Sequence, residues 1–211
     1  MEIVSFESLP STQLYLIEAL KKKELEAPVI VLAKEQSEGI GSRDNEWSGT
    51  RGDLFLSMAI QKHSLPTDLP LSAISIYFAF FMKEVLARYN EDIFLKWPND
   101  FYLGDNKIGG CVSKELKDDI VIGIGINLVA NSDGYAHLDI DTTPLKLAQE
   151  FINEWMMIPS WKYIFSKYQV EFELSKKFDV HIDGEKKSLE EAQLFSDGSI
   201  EIDNKKVFNL R

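Results

Sequence analysis

Cysteine is nearly missing from this chain of 211 residues: Cys111 stands alone, and histidine occurs only at His63, His137 and His181. A single cysteine forms no internal disulfide, and histidines so far apart offer no zinc spacing. Positive charge is also scarce. Against 34 acidic side chains there are 23 basic ones, a net charge of −11. Nucleic-acid binding neutralises phosphates with a surplus of Lys and Arg, so this balance speaks against it. The longest basic run is Lys21-Lys22-Lys23. Long apolar runs are lacking too. The most apolar stretch, Leu71 to Met82, has 12 residues and includes two serines, whereas a membrane-spanning helix takes about 20. Glu2 stands where a signal peptide carries positive charge,. The expectation is a cytoplasmic protein with neither membrane nor nucleic-acid partner.

What remains is the composition of a folded globule, 45% hydrophobic and 27% charged,. A chain of this length buries about 70% of the surface its unfolded form exposes, enough to fold without a disulfide or metal staple. Ser11-Thr12 opens a helix to about Lys23, with either hydroxyl as its cap,. Pro28 to Lys34 and Leu54 to Ile60 read as strands, separated by a glycine-rich loop from Gln36 to Gly52,. From about Leu71 to Tyr89 the apolar residues keep helical spacing,. Three strands follow, Ile93 to Trp97, Lys107 to Lys114 and Ile120 to Leu128. Thr143-Pro144 and Ser160 open two more helices, with apolar stripes through Leu147, Phe151 and Trp155 and through Trp161, Ile164 and Tyr168,. From Asp179 the pattern becomes short β runs between the turn signals Asp183-Gly184, Asp197-Gly198 and Asp203-Asn204,. The division predicted is residues 1–176 and a small β unit at 177–211.

Four segments carry candidate chemistry. In the first, Gln36 to Trp47, Gly39 and Gly41 allow close backbone approaches, Arg43 suits a phosphate, and Trp47 either stacks on a base or anchors the loop in the core,. The segment fits neither the dinucleotide fingerprint nor the P-loop. The second is Lys96-Trp97-Pro98-Asn99-Asp100. Asn99-Asp100 reads either as turn chemistry or as a carboxylate held at a strand end to bind a metal or orient an amine. The third is Lys107-Ile108-Gly109-Gly110. Strand alternation places Lys107, Gly109 and Cys111 on one face and Ile108, Gly110 and Val112 on the other. The glycines would leave a floor for a ligand beneath the ammonium; an edge-strand lysine beside a bulge is the other reading. Cys111 reads as a small buried residue. In the fourth, Gly123, Gly125 and Asn127 share one bare face and Ile122, Ile124 and Ile126 the opposite one,.

Together these segments resemble the bacterial biotin protein ligases, and the Lys96 to Asp100 pentapeptide is the most specific element. Ser11-Thr12-Gln13, the loop ending at Trp47, Lys107 to Gly110 and Gly123 to Asn127 follow in the family's order. The chain starts almost at the catalytic unit, so it resembles the short type without an N-terminal DNA-binding domain. The resemblance implies an α+β fold: a central mixed β-sheet flanked by helices, with a small C-terminal SH3-like β-domain. It also implies a two-step reaction. Biotin and Mg·ATP give biotinyl-5′-adenylate and pyrophosphate, and a lysine of the biotin carboxyl carrier protein of acetyl-CoA carboxylase then displaces AMP.

By family position, Ser11, Thr12, Gln13, Gln36, Ile40, Gly41, Ser42, Lys107, Gly109, Gly110 and Gly125 would line the biotin site. Arg43, Trp47, Asn99, Lys107 and Asn127 would meet the adenylate, with Mg²⁺ near Asn99 and Asn127 and no firm metal ligands. Lys107 and Arg43 would stabilise charge, and Asp100 would orient or deprotonate the acceptor lysine. The loop departs from the family pattern: its usual arginine positions hold Ile40, Ser42 and Asn45, leaving Arg43 as the one arginine between Gly39 and Trp47. Family members dimerise through sheet edges, so a homodimer is among the implied states. A lipoate or octanoate ligase or transferase of the same fold and a non-catalytic biotin-binding protein are the alternatives.

Overall fold

The structure, a computed structural model, describes residues 1–41, 45–130 and 134–208. Its apolar, β-branched runs assemble into one seven-stranded sheet. β1 (Glu2–Phe6) and β2 (Val29–Ala33) pair in parallel and are joined through α1 (Thr12–Lys21). A short pair, β3 (Gly39–Ile40) and β4 (Glu46–Trp47), lies within the glycine-rich segment, and β5 (Leu54–Gln61) follows. A 3-10 turn leads into α2 (Ile74–Leu86). Then come β6 (Ile93–Lys96), β7 (Asp100–Leu103), β8 (Asn106–Glu115) and β9 (Asp119–Ile126). The strand order is β1-β2-β5-β9-β8-β7-β6, antiparallel everywhere except at β1 and β2. This is the mixed sheet expected. Two strands were not: β1, and β7, which begins at Asp100 where a turn was predicted.

Each face of the sheet is covered differently. α2 is buried nearly all round against one face. α3 (Pro144–Trp155) packs beside it through Leu147, Ala148, Phe151, Ile152 and Trp155. α4 (Trp161–Glu171) contributes Trp161, Ile164 and Tyr168 to the same core. Both start at the predicted caps: Thr143 Oγ1 accepts from the Lys146 N–H at 3.2 Å and Ser160 Oγ from the Tyr163 N–H at 3.3 Å,. On the opposite face α1 is the one helix, among the described residues, that lies across the sheet. Its Leu16 packs with Val29, Val31, Ala59 and Val121 in a second, smaller cluster. One short helix cannot cover seven strands, so part of this face is left open beside the N-terminus of α1.

The C-terminal residues form small antiparallel sheets: β10 (Asp179–Ile182) with β11 (Glu185–Ser188), and β12 (Gln193–Leu194), β13 (Ile200–Ile202) and β14 (Lys205–Val207). Their turns sit at the predicted Asp183-Gly184, Asp197-Gly198 and Asp203-Asn204. Asp183, Gly184, Gly198, Asp203 and Asn204 all have positive φ,. Val180, Ile182, Leu189 and Ile200 belong to the main apolar core, which is therefore continuous across the boundary expected at residue 176. The Trp97 indole donates to the Gly198 carbonyl at 3.0 Å, joining the end of β6 to this small unit.

Candidate active site

A cavity of about 50 Å³ opens on the face that α1 leaves uncovered. It holds only a few water molecules. Ser11, Thr12 and Gln13 reach it from the start of α1, Gln36 from the end of β2, and Ile40, Gly41 and Trp47 from the small hairpin. Asn99 and Asp100 come from the β6–β7 connection, and Lys107 and Gly110 from β8. Gly123 and Gly125 form part of its floor on β9. Three of the four predicted segments thus meet the fourth around one space.

The buried end is polar and closely bonded. The Thr12 backbone N–H and hydroxyl donate to Gln36 Oε1 at 2.7 and 2.9 Å. Thr12 Oγ1 and Ser57 Oγ lie 2.9 Å apart. Ser57 is fully buried. It was not singled out from the sequence, although it is the only hydroxyl within the apolar run Leu54 to Ile60, and that was its signal. Ser11 caps α1 by accepting from the Leu14 N–H at 3.4 Å.

Lys107 and Asp100 make the charged end. Their Nζ and Oδ1 atoms are 2.7 Å apart, with side chains 41% and 19% exposed. The predicted faces of β8 are corrected here. Asp100 pairs with Gly110 and Phe101 with Gly109, but Tyr102 pairs with Lys107. Ile108 is thus an extra residue, a β-bulge that interrupts the alternation. Ile108, Gly109 and Cys111 turn to the core, and Lys107 shares the cavity face with Gly110 and Val112. A Cβ on Gly110 would sit 3.4 Å from Asp100 Oδ1 and 3.8 Å from Lys107 Cε. A Cβ on Gly109 would instead strike the Gly125 carbonyl and Ile126 at 2.6 Å. Gly109 is therefore a packing glycine whose α-carbon hydrogens point away from the cavity. Burial pushes the Cys111 thiol well up, so it stays protonated,.

Trp47 lies over Gly125, where a Cβ would come within 2.5 Å of the ring. Among the described residues its buried indole N–H has no partner, and the Lys107 ammonium is 5.9 Å from the ring centroid,. Gly39 serves the same hairpin: a Cβ there would meet the Trp47 carbonyl at 2.3 Å. The far end of this loop is pinned. Asp53, which is buried, accepts from the Thr50 N–H at 2.7 Å, the Leu128 N–H at 2.8 Å and the Val129 N–H at 3.1 Å. It is a second residue that the sequence did not reveal.

Two predicted residues stand apart. Asn99 lines the cavity, yet its amide Nδ2 donates to the Cys111 carbonyl. Asn127 is outside the cavity lining: its Nδ2 donates to the Ala136 carbonyl at 3.0 Å, and its buried Oδ1 has no partner among the described residues. Ser42 and Arg43 lie outside the described residues. Among the described residues no three His, Cys, Asp or Glu side chains are grouped to hold a metal ion, and no helix is long and apolar enough to cross a membrane.

The chain is similar to known proteins. Residues 5–128 match the profile of the biotin/lipoate A/B protein ligase family. Over 128 residues the chain is 34% identical to the bifunctional ligase/repressor BirA of Escherichia coli K12, covering 57% of this chain and 38% of that protein. The chain thus spans well under half the length of that relative. It is also similar to the biotin acetyl coenzyme A carboxylase synthetase of Helicobacter pylori, solved with bound biotinylated ATP. That structure is 44% identical, with a TM-score of 0.93 over 98% of this chain and 99% of that one. A biotin protein ligase of Aquifex aeolicus, in complex with biotin and ATP, shares the fold with a TM-score of 0.78 at 19% identity, over 98% and 94% of the two chains.

Proposed function

The chain belongs to the biotin/lipoate A/B protein ligase family, and we propose that it joins biotin to a lysine of a biotin carboxyl carrier protein at the expense of ATP. The observation that carries this reading is the joining, in one cavity, of a buried hydroxyl and amide cluster to a lysine–carboxylate pair. The bound ligands of the H. pylori and A. aeolicus proteins support it.

The cluster of Thr12, Gln36 and Ser57 offers donors and acceptors to a ureido ring, and Gly123 and Gly125 add no side chains of their own to the floor beside it,. In the first step a biotin carboxylate oxygen attacks the α-phosphorus of ATP. An O–P bond forms, the bond to the β-phosphate bridge breaks, and pyrophosphate leaves. Negative charge gathers on the carboxylate and phosphate oxygens, where the fixed cation of Lys107 stabilises it. Arg43 is the nearby loop arginine in sequence, and Trp47 is an aromatic surface for the adenine. Magnesium arrives as part of the substrate Mg·ATP, held chiefly by the phosphates.

In the second step the carrier lysine must lose a proton before its nitrogen can attack. Asp100 accepts that proton. The C–N bond forms, the acyl C–O bond breaks, AMP leaves, and the amide nitrogen gives its remaining extra proton to solvent. The anhydride must meanwhile be kept from water, which fits the loop carrying Trp47 over the cavity.

Incubation of the purified protein with a carrier domain, Mg·ATP and labelled biotin or lipoate tests the proposal. Label transfer from biotin alone is the expected result. Transfer of lipoate in its place would assign the other branch of the family. Tight biotin binding without pyrophosphate release would make the protein a sequestrant.

A further inference from the structure

Lys107 and Asp100 are each assigned a step above, yet in this structure they are bonded to each other. We propose that the pair is an interlock that imposes the order of the two half-reactions: Lys107 covers Asp100 until an anionic ligand draws the ammonium away. The inference rests on the ligase reading and deepens it.

The pairing is built into the sheet. Regular alternation would aim Lys107 at the core side of β8, but the extra residue Ile108 turns it onto the face of Asp100. Gly110, the cross-strand partner of Asp100, leaves its Cβ space to the two side chains. Lys96, cross-strand to Asp100 on β6, holds its ammonium over the Tyr102 and Phe178 rings at 5.4 and 5.8 Å. Trp47 presents only its ring to Lys107.

The chemistry follows from the exposure. An ammonium 2.7 Å from Asp100 Oδ1 stands where a second ammonium would have to approach that oxygen,. A pair this open to solvent is held weakly. A biotin carboxylate, and then the adenylate phosphate, offers the same ammonium another anion. Lys107 moves to it, Asp100 is uncovered, and the carrier lysine's proton has a destination only after the acyl group has been activated. The same device makes Asp100 a competitor of biotin for Lys107. Removing the aspartate should therefore strengthen the first binding step while it disables the last.

Asp100→Asn keeps the shape and removes the charge. Titrations compare biotin with the analogue whose carboxyl is reduced to an alcohol. The expected result is biotin bound about two- to fivefold more tightly than by the wild type, with affinity for the alcohol unchanged. Transfer from preformed biotinyl-adenylate to the carrier falls at least about 100-fold. Asp100→Ser repeats the test should the asparagine variant fold poorly. Unchanged or weaker biotin binding, or an equal gain for the alcohol, overturns the interlock. Wild-type protein without biotin-dependent pyrophosphate exchange would overturn the ligase reading instead, so the two failures are separable.

Discussion

Two lysine–carboxylate pairs occupy opposite surroundings in this molecule. Lys83 and Glu171 meet at 2.8 Å where α2 and the end of α4 close over edge strand β6, both side chains 11% exposed. Lys107 and Asp100 meet at 2.7 Å on the open face, far more accessible to water. Glu171 is occupied on both oxygens: Oε2 holds Lys83 and Oε1 accepts from the Leu95 N–H at 2.5 Å. Lys83 in turn reaches Glu84 at 2.6 Å and lies 4.5 Å from the Phe80 ring centroid. A pair with every bond taken and little water around it holds an edge strand shut. A half-exposed lysine paired at a cavity mouth is free to exchange its carboxylate for a ligand. Chemistry alone does not separate a structural pair from a functional one; burial and the number of partners do.

The sharpest break between the two is kinetic. Lys107→Gln should lower adenylate formation about 100- to 1,000-fold while leaving unfolding free energy within about 1 kcal/mol of wild type. Pyrophosphate exchange and urea denaturation read the two quantities. Glu171→Ala should do the reverse. It takes from the partly buried Lys83 one of its two carboxylate partners and uncaps Leu95, at about 3 kcal/mol,, whereas pyrophosphate exchange per folded molecule stays at the wild-type level. A large stability loss in the first variant, or an intact stability in the second, would dissolve the contrast.

The paired glycines beside Lys107 repeat the comparison on a smaller scale. Gly109→Ala forces a methyl against the Gly125 backbone and should cost about 2–3 kcal/mol in urea unfolding,. Gly110→Ala adds a methyl at ordinary contact distances, so its stability should change by less than about 0.5 kcal/mol,. Its effect falls on biotin affinity, because that methyl enters the cavity.

The smallest effect is the pH dependence. Burial raises the Glu171 carboxyl above its ordinary 4.5, more than the Lys83 charge and the Leu95 N–H lower it. The native state therefore binds this proton more tightly than the unfolded chain does, and the stability it contributes is lost as pH rises from about that value through the raised one. The difference in unfolding free energy between wild type and Glu171→Gln should fall with pH across that window. A difference that rises, or stays flat, would place Glu171 in a charge-stabilised site like that of an exposed pair.

Much of this was legible in the sequence because it rests on local rules. The caps at Ser11, Thr143 and Ser160 are set by hydroxyls next to apolar periodicity,. The faces of β9 follow from plain alternation, with Ile122, Ile124 and Ile126 in the core and Gly123 and Gly125 at the cavity. What was not legible depends on partners distant in sequence. β1 exists because β2, 27 residues on, offers it an edge. The face of Lys107 depends on a bulge opposite Phe101 and Tyr102, which period-two reasoning on one strand does not detect. Asp53 and Ser57 look unremarkable until Leu128, Val129 and Thr12 are folded against them.

The account stands on what the lysine–carboxylate pair does when its ligands arrive. The most direct measurement is ATP–pyrophosphate exchange by the purified protein, with biotin, lipoate or neither, followed by addition of a carrier domain. The account predicts exchange that requires biotin and release of AMP only once the carrier is added, with the label then on a carrier lysine. Exchange that responds to lipoate alone, or none with either acid, would contradict it.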